Sequence, residues 1–133
     1  MPNSTTYDTD FYLWTQQQAA LLRQGEFNRV ALDLENIAEE IESMGRREKH
    51  SIRSYLLNVM MHLLKWQYQP ERRGSSWECS IDNGRHQIDS LIEDSPSLEP
   101  QLEIFISKEY PQARKIAASE TGLPISTFPE SCP

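Results

Sequence analysis

The chain has 133 residues, a net charge of −7, a pI near 4.9, 38% hydrophobic residues and a mean hydropathy of −0.64. That is chain enough for one core but not two. The negative field disfavours nucleic acid and anionic lipid as partners, no apolar run is long enough to span a membrane, and no secretory-signal pattern opens the sequence.

The elements follow from the spacing of apolar residues. Residues 1–8 are expected to be a loosely ordered lead-in and residues 9–133 a single helical domain. In "TDFYLWTQQQAALLRQG", Thr9 is a candidate N-cap, Phe11, Trp14, Leu21 and Leu22 an apolar face, and Gly25 a stop. Asn28 is the next candidate N-cap. Val30, Leu34, Ile37, Ile41 and Met44 then recur every three or four residues, which predicts a helix with that stripe on its buried face.

Beyond Gly45 a third segment carries Ile52, Tyr55, Leu56, Val59, Leu63 and Trp66 on one side, and Pro70 ends it. A helix continuous from Asn28 to Gln67 would run about 60 Å, against a radius of gyration of about 14 Å for a compact domain of this size. A break or sharp bend at Gly45 is therefore expected. "QPERRGSS" reads as a loop, and Ser75 with Glu78 forms a capping-box pattern ahead of Trp77, Ile81, Ile88, Leu91 and Ile92. "DSPSLEP" breaks that helix and opens a shorter one through Leu98, Leu102, Phe105 and Ile106. Pro111 begins a last helix that Gly122 closes. The tail "LPISTFPESCP" is too rich in proline for helix or central strand and is expected to lie extended across the core. The fold class is all-α: a bundle of about six helices with an extended, proline-containing C-terminal tail.

Chemistry is harder to find. "DLENIAEEIESMGRREKHSIR" sets acids on one side of Gly45 and bases on the other. Glu35, Glu39 and Glu42 fall on a water-facing stripe, and Asp33 and Glu40 on its flank. A reversal at Gly45 would bring that flank level with His50 and Arg53, so ion pairing across a hairpin is the plain reading. The rival is a polar site built from Asp33, Glu40, His50, His62 and Lys65. Acid–base work there would need a desolvated carboxylate, which the stripe does not indicate.

Lys65, Trp66, Tyr68, Arg72 and Arg73 interleave bases and aromatics as single-strand binders do, against the overall charge. Cys79, Asp82, His86, Asp89 and Glu93 share a helical stripe, but two turns separate Cys79 from His86, too far for both to hold one metal. Neither Glu-x-x-His pairs, HExxH, a Gly-x-Ser-x-Gly elbow nor a phosphate-binding glycine loop occurs. No catalytic, cofactor-binding or metal-binding residues are assigned. Cys79 and Cys132 stand far apart without a CxxC, which suits a reducing, cytoplasmic setting.

"DFYLW", "ALLRQGEFNRVALDLENIAEEIESMG", "LLKWQYQPERRGSSW", "DSPSL" and "FPESCP", in that order, closely resemble the bacterial family called domain of unknown function, family 29, widespread in cyanobacteria. The resemblance runs from about Tyr7 to the C-terminus. It implies a small, mostly helical protein, usually standing alone, and no reaction. Gly84 is a departure from its pattern, and an interior glycine should weaken its helix by about 1 kcal/mol relative to Ala. The leading functional expectation is a non-enzymatic interaction module, adaptor- or antitoxin-like, that binds another protein or itself. The alternative is a small helical enzyme acting on nucleic acid through the His62/Lys65 and Asp33/Glu40 site.

Overall fold

Four long helices carry the structure, a computed structural model that describes residues 7–9, 11–25 and 32–133: α1 (Phe11–Arg23), α2 (Leu34–Tyr68), α3 (Ser75–Asp94) and α4 (Leu102–Thr121). Short 3-10 turns lie at Pro70–Arg72, Pro96–Gln101 and Ile125–Thr127. Among the described residues there is no strand, so the all-α expectation holds. The chain divides into two compact units, Met1–Arg47 and Glu48–Pro133.

In the first unit α1 ends at Arg23, just ahead of the expected stop at Gly25, whose φ of 72° lies in the left-handed region that glycine adopts without strain. The expected N-cap Asn28 lies outside the described residues. Asp33 caps α2 instead. Its Oδ1 accepts the Asn36 amide at 3.3 Å, and its carbonyl accepts the first helical bond from Ile37 at 2.9 Å.

No break occurs at Gly45. It lies inside α2, exposed, with nothing within 4 Å of a Cβ built on it. One exposed glycine costs a helix about 1 kcal/mol, and the flanking Glu42, Met44, Arg46 and Arg47 are good helix formers that sustain propagation through it. Arg46 reaches back to Glu39 at 3.2 Å and Arg47 to Glu40 at 3.7 Å, so the acids and bases either side of Gly45 pair along one helix rather than across a hairpin.

In the second unit the core gathers Ile52, Leu56, Val59, Met60 and Leu64 of α2, Ile88 of α3, and Phe105, Tyr110, Ala113 and Ala117 of α4. Leu98, from the turn between α3 and α4, and Phe128, from the tail, complete it. The sequence reading put Leu63 on this face, but Leu63 is exposed and Met60 and Leu64 are inside. Gly84 is buried against Val59, where a Cβ would come to 2.4 Å from the Val59 Cγ2. The glycine thus lets the α3 backbone approach α2 closely, so its cost to helix propensity is offset by packing.

The capping box at Ser75 is not formed. Gly74 is the N-cap, without a side-chain hydrogen bond, and Ser75 is already the first helical residue. Pro111 opens no new helix either; it sits inside α4. Proline deprives the carbonyl four residues earlier of its donor, and here that residue, Ser107, is exposed to water. The helical stretches are therefore those anticipated, with two neighbouring pairs joined. Gly122 closes α4 at φ 73°.

The tail behaves as a strap. Phe128 is fully buried with its ring edge-on to Tyr68, centroids 5.3 Å apart. The Tyr110 hydroxyl donates to the Pro129 carbonyl at 2.6 Å, and Arg114 Nε donates to the Phe128 carbonyl at 3.1 Å.

Candidate functional site

The polar residues singled out from the sequence separate into two groups. Asp33 and Glu40 belong to the first unit; His50, His62 and Lys65 belong to the second. With α2 unbroken at Gly45, the hairpin that was to bring the acid flank level with His50 and Arg53 does not form.

Asp33 is buried, with 5% of its surface exposed, and its carboxylate is engaged. Besides capping α2, its Oδ2 accepts from Asn36 Nδ2 at 2.8 Å and from the Trp14 indole Nε1 at 3.3 Å. Its own amide donates to Gln18 Oε1 at 2.8 Å. These donors replace the water that the carboxylate has lost, so the site ties α1 to the start of α2. Glu40 is half-buried and accepts from the Tyr7 hydroxyl at 2.6 Å. That hydrogen bond is the largest cause raising the Tyr7 pKa above its ordinary value, burial and nearby carboxylates adding to it. Both acids have helix-organising partners.

Lys65 is likewise placed for structure. Its side chain is 8% exposed; Nζ lies 3.5 Å from Glu120 and 5.2 Å from the centroid of Trp77. One buried ammonium thus ties α2 to both α3 and α4. His62, one turn earlier, has Nδ1 2.7 Å from the Asn58 carbonyl. A carbonyl can only accept, so Nδ1 is the donor in this contact. His50 is exposed at the far end of the same stretch. Arg53 pairs not with helix-flank acids but with Glu109 of α4, Nε to Oε1 at 2.6 Å.

In the run of bases and aromatics, Lys65 and Tyr68 are engaged internally, while Trp66 and Arg73 contact each other. The stripe Cys79, Asp82, His86, Asp89 and Glu93 is exposed throughout. Among the described residues no cluster of three or more His, Cys, Asp or Glu is placed to hold a metal.

A different feature stands out in the first unit. The stripe read as buried is not: Leu34 is 47% exposed, Ile41 63% and Met44 60%, with Ile37 half-buried between them. Tyr12 and Leu22 of α1 are exposed as well, while Trp14 and Leu32 are the buried hydrophobics of this unit among the described residues. Ala38 and Gly45, each four residues beyond an exposed Leu34 or Ile41, border the stripe with small, exposed positions. The signal in the sequence was the spacing itself. Steps of three, four and three describe a seam between two helices as well as a face on a core.

A family model described as domain of unknown function DUF29 matches residues 6–133, nearly the whole chain, so the chain belongs to that family. The resemblance seen in the motifs is thereby confirmed. No curated protein and no solved structure matches the chain.

Proposed function

We propose that this member of the DUF29 family is a non-enzymatic interaction module, and that the occupant of its exposed α2 face is a second copy of the chain. The observation that carries the reading is the stripe Leu34, Ile37, Ile41 and Met44, left largely open, while Trp14 and Leu32 are the buried hydrophobics of its unit among the described residues.

The stripe is self-complementary. In an antiparallel pair about a two-fold axis, Leu34 lies level with Met44 and Ile37 with Ile41, because both pairs share one midpoint, at residue 39. Ala38 and Gly45 on one border allow the two backbones to approach. A standard interface covers about 800 Å² per partner, more than four side chains on one helix supply, so the association is weak and concentration-dependent. The enzyme alternative draws less support, since Asp33, Glu40 and Lys65 all hold structural partners.

The test pairs sedimentation velocity over a range of concentrations with affinity purification from the native host. The wild-type chain should self-associate, and Ile41→Glu combined with Met44→Glu should remain monomeric with unchanged helix content. A monomeric wild type whose co-purifying protein is lost in the double variant would replace the second copy by that protein. If the double variant matches the wild type in both measurements, the module reading is wrong.

A further inference from the structure

A half-open groove of about 410 Å³ runs along the second unit, walled by Met60, Leu63, Leu64 and Trp66 of α2, Tyr110 of α4 and Cys132 of the tail. Its volume falls within the range of about 300–1,000 Å³ typical of small-molecule sites. The wall is aliphatic and aromatic, and Arg73 stands at its edge.

The setting of Arg73 is specific. Its Nε donates to the Trp66 carbonyl at 2.7 Å, and its guanidinium carbon lies 5.2 Å from the centroid of the Trp66 ring. Those two contacts fix the plane of the guanidinium and leave the Nη fork outside the bond to the backbone. The ion pairs among the described residues use Arg46, Arg47, Arg53 and Lys65, not Arg73. In a chain of net charge −7, an oriented cation without a carboxylate partner beside apolar walls is a place for an added anion.

We propose that this groove binds a free aliphatic monocarboxylate of medium chain length, its hydrocarbon against Met60, Leu63 and Leu64 and its carboxylate on the Nη fork of Arg73. A single guanidinium fork matches one planar carboxylate in a bidentate pair, whereas a phosphate dianion calls for a second cation. The hydrocarbon displaces water from the walls, and the head stays at the open side; Gln67 also lines the groove. Burial pushes the Cys132 thiol above its ordinary pKa, so it stays neutral at pH 7 and does not repel the head group.

Isothermal titration of the full chain with decanoate tests the proposal, with hexanoate, decanol and inorganic phosphate as comparisons. Saturable one-to-one binding of decanoate is expected, weaker for hexanoate and decanol and undetectable for phosphate. Arg73→Gln should weaken decanoate roughly tenfold or more, the value of a charge-assisted hydrogen bond, and Arg73→Lys should weaken it less. Leu63→Gln should weaken it as well. Residues 63 and 73 are both exposed, so circular dichroism should be unchanged in all three variants. Decanoate that fails to saturate below its micellar concentration overturns the proposal. So does affinity that is the same in Arg73→Gln as in the wild type, or phosphate competing for the site.

Discussion

A carboxylate leaves water only where other donors take its place, and Asp33 shows how completely that can happen. The Asn36 amide, the Asn36 side chain and the Trp14 indole converge on it. Asp33→Ala should therefore cost about 1–2 kcal/mol for the lost cap, and more for the donors left without an acceptor. Asp33→Asn, which keeps an acceptor, should cost less. Thermal melts followed by tryptophan fluorescence check both. Tyr110 offers a second residue-level test. Burial, the largest cause, raises its pKa, with Cys132 and Tyr68 adding to the shift and Arg114 opposing it. Because the folded value lies above the ordinary value of about 10, the stability that Tyr110 contributes is fully present below pH 10. It is lost as pH rises through the folded value, when the phenolate can no longer donate to Pro129. Tyr110→Phe should lower stability by about 1 kcal/mol at neutral pH and flatten this alkaline dependence in denaturant titrations.

Two glycines on neighbouring helices make the argument at the level of the element. Both lie in the interior of a helix, and propensity alone gives Gly→Ala the same sign at each. Gly45 has open space around it, so Gly45→Ala should stabilise α2 by up to about 1 kcal/mol. Gly84 faces Val59, a buried β-branched residue with little rotamer freedom in a helix. There the added methyl overpacks the α2–α3 contact at about 1–3 kcal/mol, so Gly84→Ala should be destabilising on balance. Urea unfolding of the two variants side by side decides the matter; equal signs would mean that the α2–α3 approach is looser than described. The same contrast explains the joined helices. Breaks were expected at Gly45 and Pro111 from residue type, but each lies exposed, where a weakened or missing bond is tolerated.

For the molecule as a whole, the two units differ in what holds them. The second has an apolar core closed by the tail, with Phe128 as its last large side chain. Phe128→Ala should destabilise that unit by about 3–5 kcal/mol. Hydrogen exchange should then quicken in α3 and α4. Exchange in α1, which is tied to Asp33 within the first unit, should change little. Uniform acceleration along the whole chain would show instead that the units unfold as one. The first unit leaves Leu34, Ile41 and Met44 to the solvent, which is why the proposed partner is sought there.

Helix class, the stops at Gly25 and Gly122, the burial of Ile52, Leu56, Val59 and Ile88, and the strapping tail were all legible in the order of residues, because they depend on local spacing and backbone freedom. The exposed acid stripe of Glu35, Glu39 and Glu42 was legible for the same reason. Tertiary structure alone decided whether an apolar stripe meets a core, whether Asp33 and Lys65 face water or partners, and whether a glycine weakens a helix or lets another approach it. Periodicity states which side chains share a face; what lies opposite that face is set by contacts between segments far apart in the chain, and no local pattern encodes them.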